Sequence, residues 1–549
     1  MTTDSATEVT RRSMGATLGV FLSRLSGIFR TQVVNAVFGA SSGLDGFYAA
    51  NRFPNALRDL FADGALSSAF TKVYVDEEKK GLEDSQRLIA TTITVFGATT
   101  LTLAVLGMIY AQEFLGLVTG DQFADAGALD VAVISFRWLA FYLPLTMLSS
   151  VCMSVLSVTG QTLLATFASA FFNVGMIIGA LFLTKITDFL AIPAPVALAW
   201  GVLIGGIAQF GFMAVPLARK GLLISPLRAR ISLRGYRPIG EIMRLMAPRA
   251  LVQGASQIAL MINTFYASQC GLGALTYITN ATLIVLVPVG LFGVASGFAS
   301  LPLLSQSWIN KETAKFREIL STSLSGTLWM SASSAAAFAL CAMPLCVALF
   351  RHGRYTTADC LWTSLAIAAY MGGMVFNAGS KVVAQGFFAL NNTWLSMFNA
   401  VTYLLVNATL SSILSPRYGI IGLGISNSSA AMIDFTLNLI LLRWIWRKSA
   451  PPGDKPPLSW KAVWPAYIIT PSLMGLGLAL QPQWNDLLTS DPAWPGPRLM
   501  QNNLLFLVAC ALIGGLLWTA LTMSFGPLPL RGLVSRLLRR LGFSKNTRP

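Results

Sequence analysis

Apolar runs of about twenty residues, separated by short polar or basic connections, recur from one end of this chain to the other. LIATTITVFGATTLTLAVLGMIY, APVALAWGVLIGGIAQFGFMAV and NNLLFLVACALIGGLLWTAL are each long enough to cross about 30 Å of hydrocarbon as helix. The pattern predicts fourteen such spans, roughly at 14–38, 46–71, 89–110, 130–157, 160–184, 193–218, 242–268, 274–300, 321–350, 360–389, 393–414, 418–446, 462–481 and 501–526. Several spans carry charges. FLSRLSGIFRTQVV sets Arg24 and Arg30 six residues apart, so that on a helix they point roughly 120° away from each other. Each then needs protein or water to face, because a charge at bilayer depth costs at least a few kcal/mol. In the second span, NRFPNALRDLFADGALSSAF, Pro54 removes an amide donor and Gly64 lowers the cost of a bend. Both are hinge candidates, with a static packing kink as the alternative.

Composition agrees with the pattern. Apolar residues make up 54% of 549 and charged residues 11%, with mean hydropathy +0.64, whereas a soluble domain has about 25% charged residues. The first apolar run continues without a small-residue cleavage pattern, so no removable signal peptide is expected. The six cysteines show no metal or redox spacing and read as small buried residues, and the lone His352 forms no histidine cluster. A net charge of +16 would suggest nucleic acid in a soluble chain. Here its position decides otherwise. With the N-terminus inside, Lys72, Lys79, Lys80 and Arg87, then Arg219 to Arg244, Lys311 to Arg317, Arg443 to Lys461 and the C-terminal tail all fall on the cytoplasmic side. The connection 111–129 has no lysine or arginine, although 351–359 breaks the trend with Arg351 and Arg354. This asymmetry predicts both termini cytoplasmic and no nucleic-acid partner.

Basic connections divide the chain. The expected organisation is a lobe of six spans at 1–218, a basic linker at 219–241, a second lobe of six spans at 242–446, a proline-rich linker at 447–461, two further spans within 462–526 and a basic tail at 527–549. The linker around Arg219–Glu241 and the tail segment RGLVSRLLRRLG alternate leucine or isoleucine with arginine, a pattern open to a membrane-surface helix or to a solvated segment. A faint repeat links GASSGLDGFYAANRFP with SQCGLGALTYITNATLIVLVP; since each block holds six spans, two similarly oriented halves can be related by an axis along the membrane normal.

The second span repeats the arginine spacing, with Arg52 and Arg58 six apart and Asp45, Asp59 and Asp63 as nearby acidic partners. Any one arginine can be held in a structural ion pair. Four of them exceed what the aspartates deep in the region would neutralise, and the guanidinium fork matches phosphate oxygens, so the set predicts an anion site. Asp63 is a candidate gate residue and Asp45 a candidate for gating or ion coupling. In the second half Lys381 is the strongest ionisable candidate, while Asp434 is either an ion or proton carrier or the carboxylate balancing a nearby cation. Arg137 and Arg249 read as interface anchors. Gln257, Asn263, Gln269 and Asn280 form a polar strip that can line a cavity or join helices. GASSG and GLFGVASG read as close-packing segments. No phosphate-binding or metal-ligand motif is present, so the chain is expected to be a transporter without covalent chemistry and without cofactor.

FLSRLSGIFRTQVVNAVFGAS, followed by LDGFYAANRFPNALRDLFADGALSSAF, resembles the N-terminal signature of the MurJ/MviN family of bacterial lipid II flippases. PVGLFGVASGFASLPLLSQS and KVVAQGFFALNNT resemble that family's eighth and tenth spans, and the similarity runs through most of 15–415. The resemblance implies an all-α polytopic fold of the multidrug/oligosaccharidyl-lipid/polysaccharide exporter superfamily: about fourteen transmembrane helices, two six-helix lobes around a central cavity, and two C-terminal helices that groove the lipid tail. It implies a multi-pass protein of the bacterial inner membrane that moves polyprenyl-diphosphate-linked peptidoglycan precursor to the outer leaflet by alternating access. Membrane lipids and cell-wall synthesis proteins are the expected partners, and the membrane potential, sodium or protons the expected drive. Arg24, Arg30 and Arg58 match family arginines thought to engage the diphosphate. Arg52, Asp45, Asp63 and Lys381 match other charged family positions. One departure is Leu283, which stands where family members often carry arginine before the span-eight proline.

Two other functions fit the same residues. An ion-coupled exporter of drugs or of another lipid-linked glycan predicts that Asp45, Asp63 or Asp434 controls coupling and that first-lobe arginines are dispensable. A transport-inactive scaffold predicts that the 219–241 connection matters and the arginines do not.

Overall fold

The computed structural model describes residues 22–60, 66–224, 236–392, 394–451, 453–458 and 463–489, with Thr519, Thr522, Val534 and Ser535 beyond them. Asp63, Gly64, residues 225–235 of the 219–241 linker, the fourteenth predicted span except Thr519 and Thr522, and the tail segment RGLVSRLLRRLG except Val534 and Ser535 lie outside these residues. Every regular element among the described residues is helical. Among the described residues six helices are long and apolar enough to cross a membrane, or eight if each of two bent pairs is one span. Contacts divide the chain into two compact units: Met1–Thr276 with His352–Tyr355, and Tyr277–Arg351 with Thr356–Pro549.

The first unit holds α1 (22–38), α2 (Ser42–Leu60), α3 (Leu66–Glu78), α4 (Leu82–Ile109), the short α5 (Ala111–Val118) and α6 (Asp121–Asp125), then α7 (Ala128–Leu139) and α8 (Tyr142–Val158). It continues through α9 (Thr162–Phe167), α10 (Ala170–Ile178), a π turn at Gly179–Leu183, α11 (Thr184–Phe189), α12 (Val196–Arg219) and α13 (Arg237–Ser268). The connection 111–129, expected as an external loop between two spans, is therefore largely helical. The predicted span 130–157 is two helices meeting at 42°. Pro144 explains the break: it has no amide to donate, and its ring crowds the carbonyl four residues back, at Ala140. Pro54, by contrast, sits inside a continuous α2.

Polar residues survive in these apolar helices by serving their own backbone. Along α4 the hydroxyls of Thr91, Thr94 and Thr100 donate to the carbonyls of Arg87, Ala90 and Phe96 at 2.7–2.8 Å. The same residues leave the remaining faces to aliphatic and aromatic packing. Leu66, Phe70 and Tyr74 of α3 meet Leu88 and Phe96 of α4, Val151 and Val155 of α8 and Met213 and Leu217 of α12 in one buried cluster. A glycine seam joins α10 to α12. A methyl on Gly175 or Gly201 would overlap the other's carbonyl oxygen, and one on Gly179 would stand 2.6 Å from the carbonyl oxygen of Ala197. Backbone contact this close is possible only because all three lack a side chain.

His352–Tyr355 belongs to this unit although it follows the second unit's helices in sequence. The Arg354 amide donates to the Ala36 carbonyl at 2.8 Å, at the C-terminal end of α1. Gly353, at φ 58°, lies so close to Ala36 that a Cβ would overlap its carbonyl oxygen.

The second unit comprises α14 (Ala274–Pro288, whose first three residues belong to the first unit), a π turn at Val289–Val294, α15 (Ala295–Ile309), α16 (Thr313–Leu340), α17 (Ala342–Phe350), α18 (Thr357–Ala389), α19 (Trp394–Ser449) and α20 (Trp464–Thr489). At its centre is α18, rich in Ala, Gly and Ser, which packs against α15, α16, α17, α19 and α20. Gly293 of the segment GLFGVASG stands against Ala378 with 2.7 Å left for a Cβ, so this stretch is a close-packing surface. The stretch α19 reverses at Gly419, whose φ of 56° and ψ of −135° only glycine adopts readily. The predicted span 321–350 breaks at Cys341 with a bend of 70°. Pro344 again disturbs the carbonyl four residues back, Leu340, which instead accepts from the Trp484 indole at 3.0 Å.

Candidate functional site

The arginines of α1 and α2 are sorted by their surroundings. Arg24 is exposed, whereas Arg30 turns into the unit and donates from Nη1 to Asn173 Oδ1 at 3.0 Å and from Nη2 to Thr31 Oγ1 at 3.3 Å. Arg58, in the last turn of α2, reaches Asp59 through Nε at 3.2 Å and Nη2 at 2.9 Å. Its side chain is 30% exposed and that of Asp59 33%, so this ion pair sits in a partly wet setting where it is worth at most about 1 kcal/mol. Both Arg30 and Arg58 stand over one ring: their Cζ atoms are 5.8 Å and 5.6 Å from the centroid of Phe172. Arg52 is half-buried, and Tyr48 lies within electrostatic reach of both Arg52 and Arg30.

The six-residue spacings within each helix are thus not what groups the cations. Arg30 and Arg58 come from different helices and meet at α10. Phe172 and Asn173 were not singled out in the sequence, where the only trace is an asparagine beside two phenylalanines in an apolar run. The Asn173 amide also donates to Ser26 Oγ at 2.8 Å and to the Ser23 carbonyl at 3.1 Å, clasping α1 to α10.

Asp45, expected as a partner for the arginines, is engaged elsewhere. It is 3% exposed, and Oδ1 accepts from the Thr276 amide at 2.8 Å and the Thr276 hydroxyl at 2.7 Å. It therefore caps the start of α14, where free amides and the helix dipole favour an anion. Its carboxyl group is held by the amide and the hydroxyl of Thr276 rather than by a guanidinium.

In the second unit Lys381 is exposed on α18. The neighbouring Ser380 hydroxyl donates to Asp434 Oδ2 at 2.8 Å, and Asn438 Nδ2 donates to the same oxygen at 3.0 Å. Asn399 Nδ2 continues the chain to Asn438 Oδ1 at 2.5 Å. Asp434 is thus the acceptor of a neutral polar network with Lys381 in electrostatic reach. Asn263 is half-buried on α13 in the first unit; Asn280 is fully buried on α14 in the second. Leu283 is half-buried one turn after Asn280. Among the described residues no group of three or more His, Cys, Asp or Glu is placed to hold a metal ion.

The family model described as lipid II flippase MurJ matches residues 34–484. The chain belongs to this family. A MurJ relative from Burkholderia cenocepacia, named lipid II flippase, is 30% identical over 425 residues, covering 77% of this chain and 81% of the relative. A probable lipid II flippase MurJ from Rhizobium meliloti is 27% identical over 517 residues, covering 93% and 92%. Among solved structures, a lipid II flippase MurJ in an inward closed conformation superposes with a TM-score of 0.68 at 21% identity, covering 92% of this chain and 98% of that one. An inward-facing multidrug resistance MATE transporter of the MOP superfamily gives 0.67 at 13% identity, covering 78% and 95%. At these identities the two structures establish the MurJ/MATE-like helical fold.

Proposed function

We propose that this chain moves lipid II, the polyprenyl-diphosphate-linked peptidoglycan precursor, from the inner to the outer leaflet of a bacterial cytoplasmic membrane by alternating access. The observation that carries this reading is the pair Arg30 and Arg58 gathered over Phe172 in a chain of the MurJ family. A diphosphate needs two or more fork-shaped donors that keep their charge, and guanidinium never loses its proton in a protein. Arg30 is held by an amide, a hydroxyl and a ring, none of which cancels that charge. Each hydrogen bond to a charged oxygen contributes about 1.5–3 kcal/mol, enough in sum to offset withdrawal of the head group from water. The polyprenyl tail stays in lipid throughout. The apolar runs support fourteen spans, and the distribution of basic residues supports both termini cytoplasmic.

Translocation makes and breaks no covalent bond, so the protein acts as a transporter without a cofactor. A sodium or proton gradient or the membrane potential drives the cycle; one elementary charge crossing the full potential gains about 2.3 kcal/mol per 100 mV. Membrane lipids are its solvent, and cell-wall synthesis proteins take up the delivered precursor. Leu283 favours one alternative cargo, another lipid-linked glycan, because an apolar side chain occupies the place where family members often supply a further cation.

The test is rescue of a strain depleted of its own lipid II flippase. Wild type is expected to restore growth, and Arg24→Ala, Arg30→Ala and Arg58→Ala at matched membrane abundance to lose most of it. Wild type that is abundant in the membrane yet fails to rescue sinks the lipid II reading. Full rescue by Arg30→Ala and Arg58→Ala together removes the anion site.

A further inference from the structure

We infer that Phe172 and Asn173 are positioning residues that gather Arg30 and Arg58 into one dianion receptor without adding a charge of their own. The inference rests on the diphosphate reading above and deepens it.

Two guanidiniums near one another repel, and an arginine side chain left alone samples many rotamers. A carboxylate between them would fix their positions and abolish their net charge, whereas Asp59 pairs with Arg58 in a partly wet setting and the hydrogen-bond partners of Arg30 are an amide and a hydroxyl, which add no charge. The face of an aromatic ring attracts a cation and adds no charge. Phe172 does this for both arginines at once, at 5.8 Å and 5.6 Å.

The ring is itself held in place. It is 6% exposed and packs against Tyr142 with centroids 5.6 Å apart. Behind it, a Cβ on Gly205 of α12 would stand 3.1 Å from the Phe172 Cα, so the glycine seam presses α10 against α12 at this level. Asn173 is equally committed. Arginine offers only donors, so the oxygen of the amide must face Arg30, and the nitrogen then meets the Ser23 carbonyl and the Ser26 hydroxyl. Turning the amide over would set donor against donor at Arg30. Neither residue is suited to bind the anion itself: the ring has no donor, and the amide donors are spent on α1. Their work is to aim the two guanidiniums.

The measurement is binding of undecaprenyl diphosphate, with undecaprenol as the uncharged control, to the full chain in nanodiscs. Asn173→Asp keeps an oxygen on Arg30 but gives up the donors to Ser23 and Ser26, a structural loss that the thermal midpoint reads, while the negative charge added beside the receptor is expected to weaken diphosphate binding about tenfold or more and to leave undecaprenol binding unchanged. Phe172→Leu is expected to weaken it about fivefold, and Phe172→Tyr, which restores the ring face, to recover most of the loss. Thermal midpoints are read in parallel, and undecaprenol binding is expected to stay constant throughout. Wild-type affinity in both Asn173→Asp and Phe172→Leu, with Arg30→Ala and Arg58→Ala still weakened, overturns this inference and leaves the diphosphate site standing. Loss in Phe172→Leu that Phe172→Tyr does not restore also overturns it. Equal binding of undecaprenyl diphosphate and undecaprenol by wild type overturns both.

Discussion

The carboxylate of Asp45 on α2 is tied to Thr276 at the start of α14 by two hydrogen bonds, one from the amide at 2.8 Å and one from the hydroxyl at 2.7 Å. Both residues are buried, so removing the acceptor leaves two donors without a partner. Asp45→Ala is therefore expected to cost about 2–3 kcal/mol, and Thr276→Val, which deletes the hydroxyl alone, about 1 kcal/mol. Asp45→Asn keeps an acceptor but loses the charge that faces the helix start, and should fall between them. Thermal unfolding of the single and double variants in one detergent checks this. Because the residues share a bond, the double variant should lose less than the two singles together; strictly additive losses would mean that the pair does not interact in the folded protein.

The seam between α10 and α12 carries the site indirectly, since Phe172 and Asn173 lie on α10. A methyl at Gly201 has no room beside the Gly175 carbonyl. Gly201→Ala is expected to force the helices apart at a cost of about 1–3 kcal/mol and to weaken diphosphate binding along with stability. Gly211, further along α12, faces open space: a methyl there would meet nothing within 4 Å, and Gly211→Ala should stabilise by about 0.5–1 kcal/mol through helix propensity alone. Opposite signs of the two shifts in thermal midpoint are the expected result, and equal shifts would count against the seam.

How much of this was legible beforehand depends on the range of each interaction. Span-length apolar runs and basic connections depend on neighbours in sequence, so the all-helical membrane architecture and the family could be read directly. The bends after Leu139 and Leu340 could not be placed, because hydropathy runs smoothly through Pro144 and Pro344 and the groups that satisfy the second bend come from α20. The arginines illustrate the same limit. Their identity marked them as unusual, but their grouping depends on a ring and an amide more than a hundred residues away, which no periodicity reports. Asp45 was read as a nearby acidic partner of the arginines and a candidate for gating or ion coupling, and its bonds to Thr276 could not be foreseen because a cap on another helix start leaves no local trace.

Gln481 of α20 shows what holds the 70° bend between α16 and α17. Its Oε1 accepts from the Met343 amide at 2.9 Å, and its Nε2 donates to the carbonyls of Ala339 at 2.8 Å and Gly477 at 2.6 Å. In an apolar surround these backbone groups have few other partners. Gln481→Leu is expected to lower stability by about 2–3 kcal/mol, and Gln481→Glu, whose buried carboxylate would face the Ala339 and Gly477 carbonyls with no donor, by at least as much. Accelerated proteolysis within 339–345 in Gln481→Leu would locate the damage at the bend. A thermal midpoint unchanged in both variants would show that the bend holds without the side chain.

Leu283 bears on whether the first unit's arginines suffice for the cargo. It lies half-buried on α14, one turn beyond the fully buried Asn280, so the two share a helix face. An arginine there would bring a charge that must find a partner or water, at a cost of at least a few kcal/mol if it finds neither. If Arg30 and Arg58, aimed by Phe172 and Asn173, already supply the diphosphate donors, Leu283→Arg adds little to transport while lowering the thermal midpoint and membrane abundance. Rescue of flippase-depleted cells per molecule of protein should then be no greater than with wild type. A variant that rescues where wild type does not would show instead that the second unit must contribute a cation for lipid II, and that the unsubstituted chain is built for a different lipid-linked glycan.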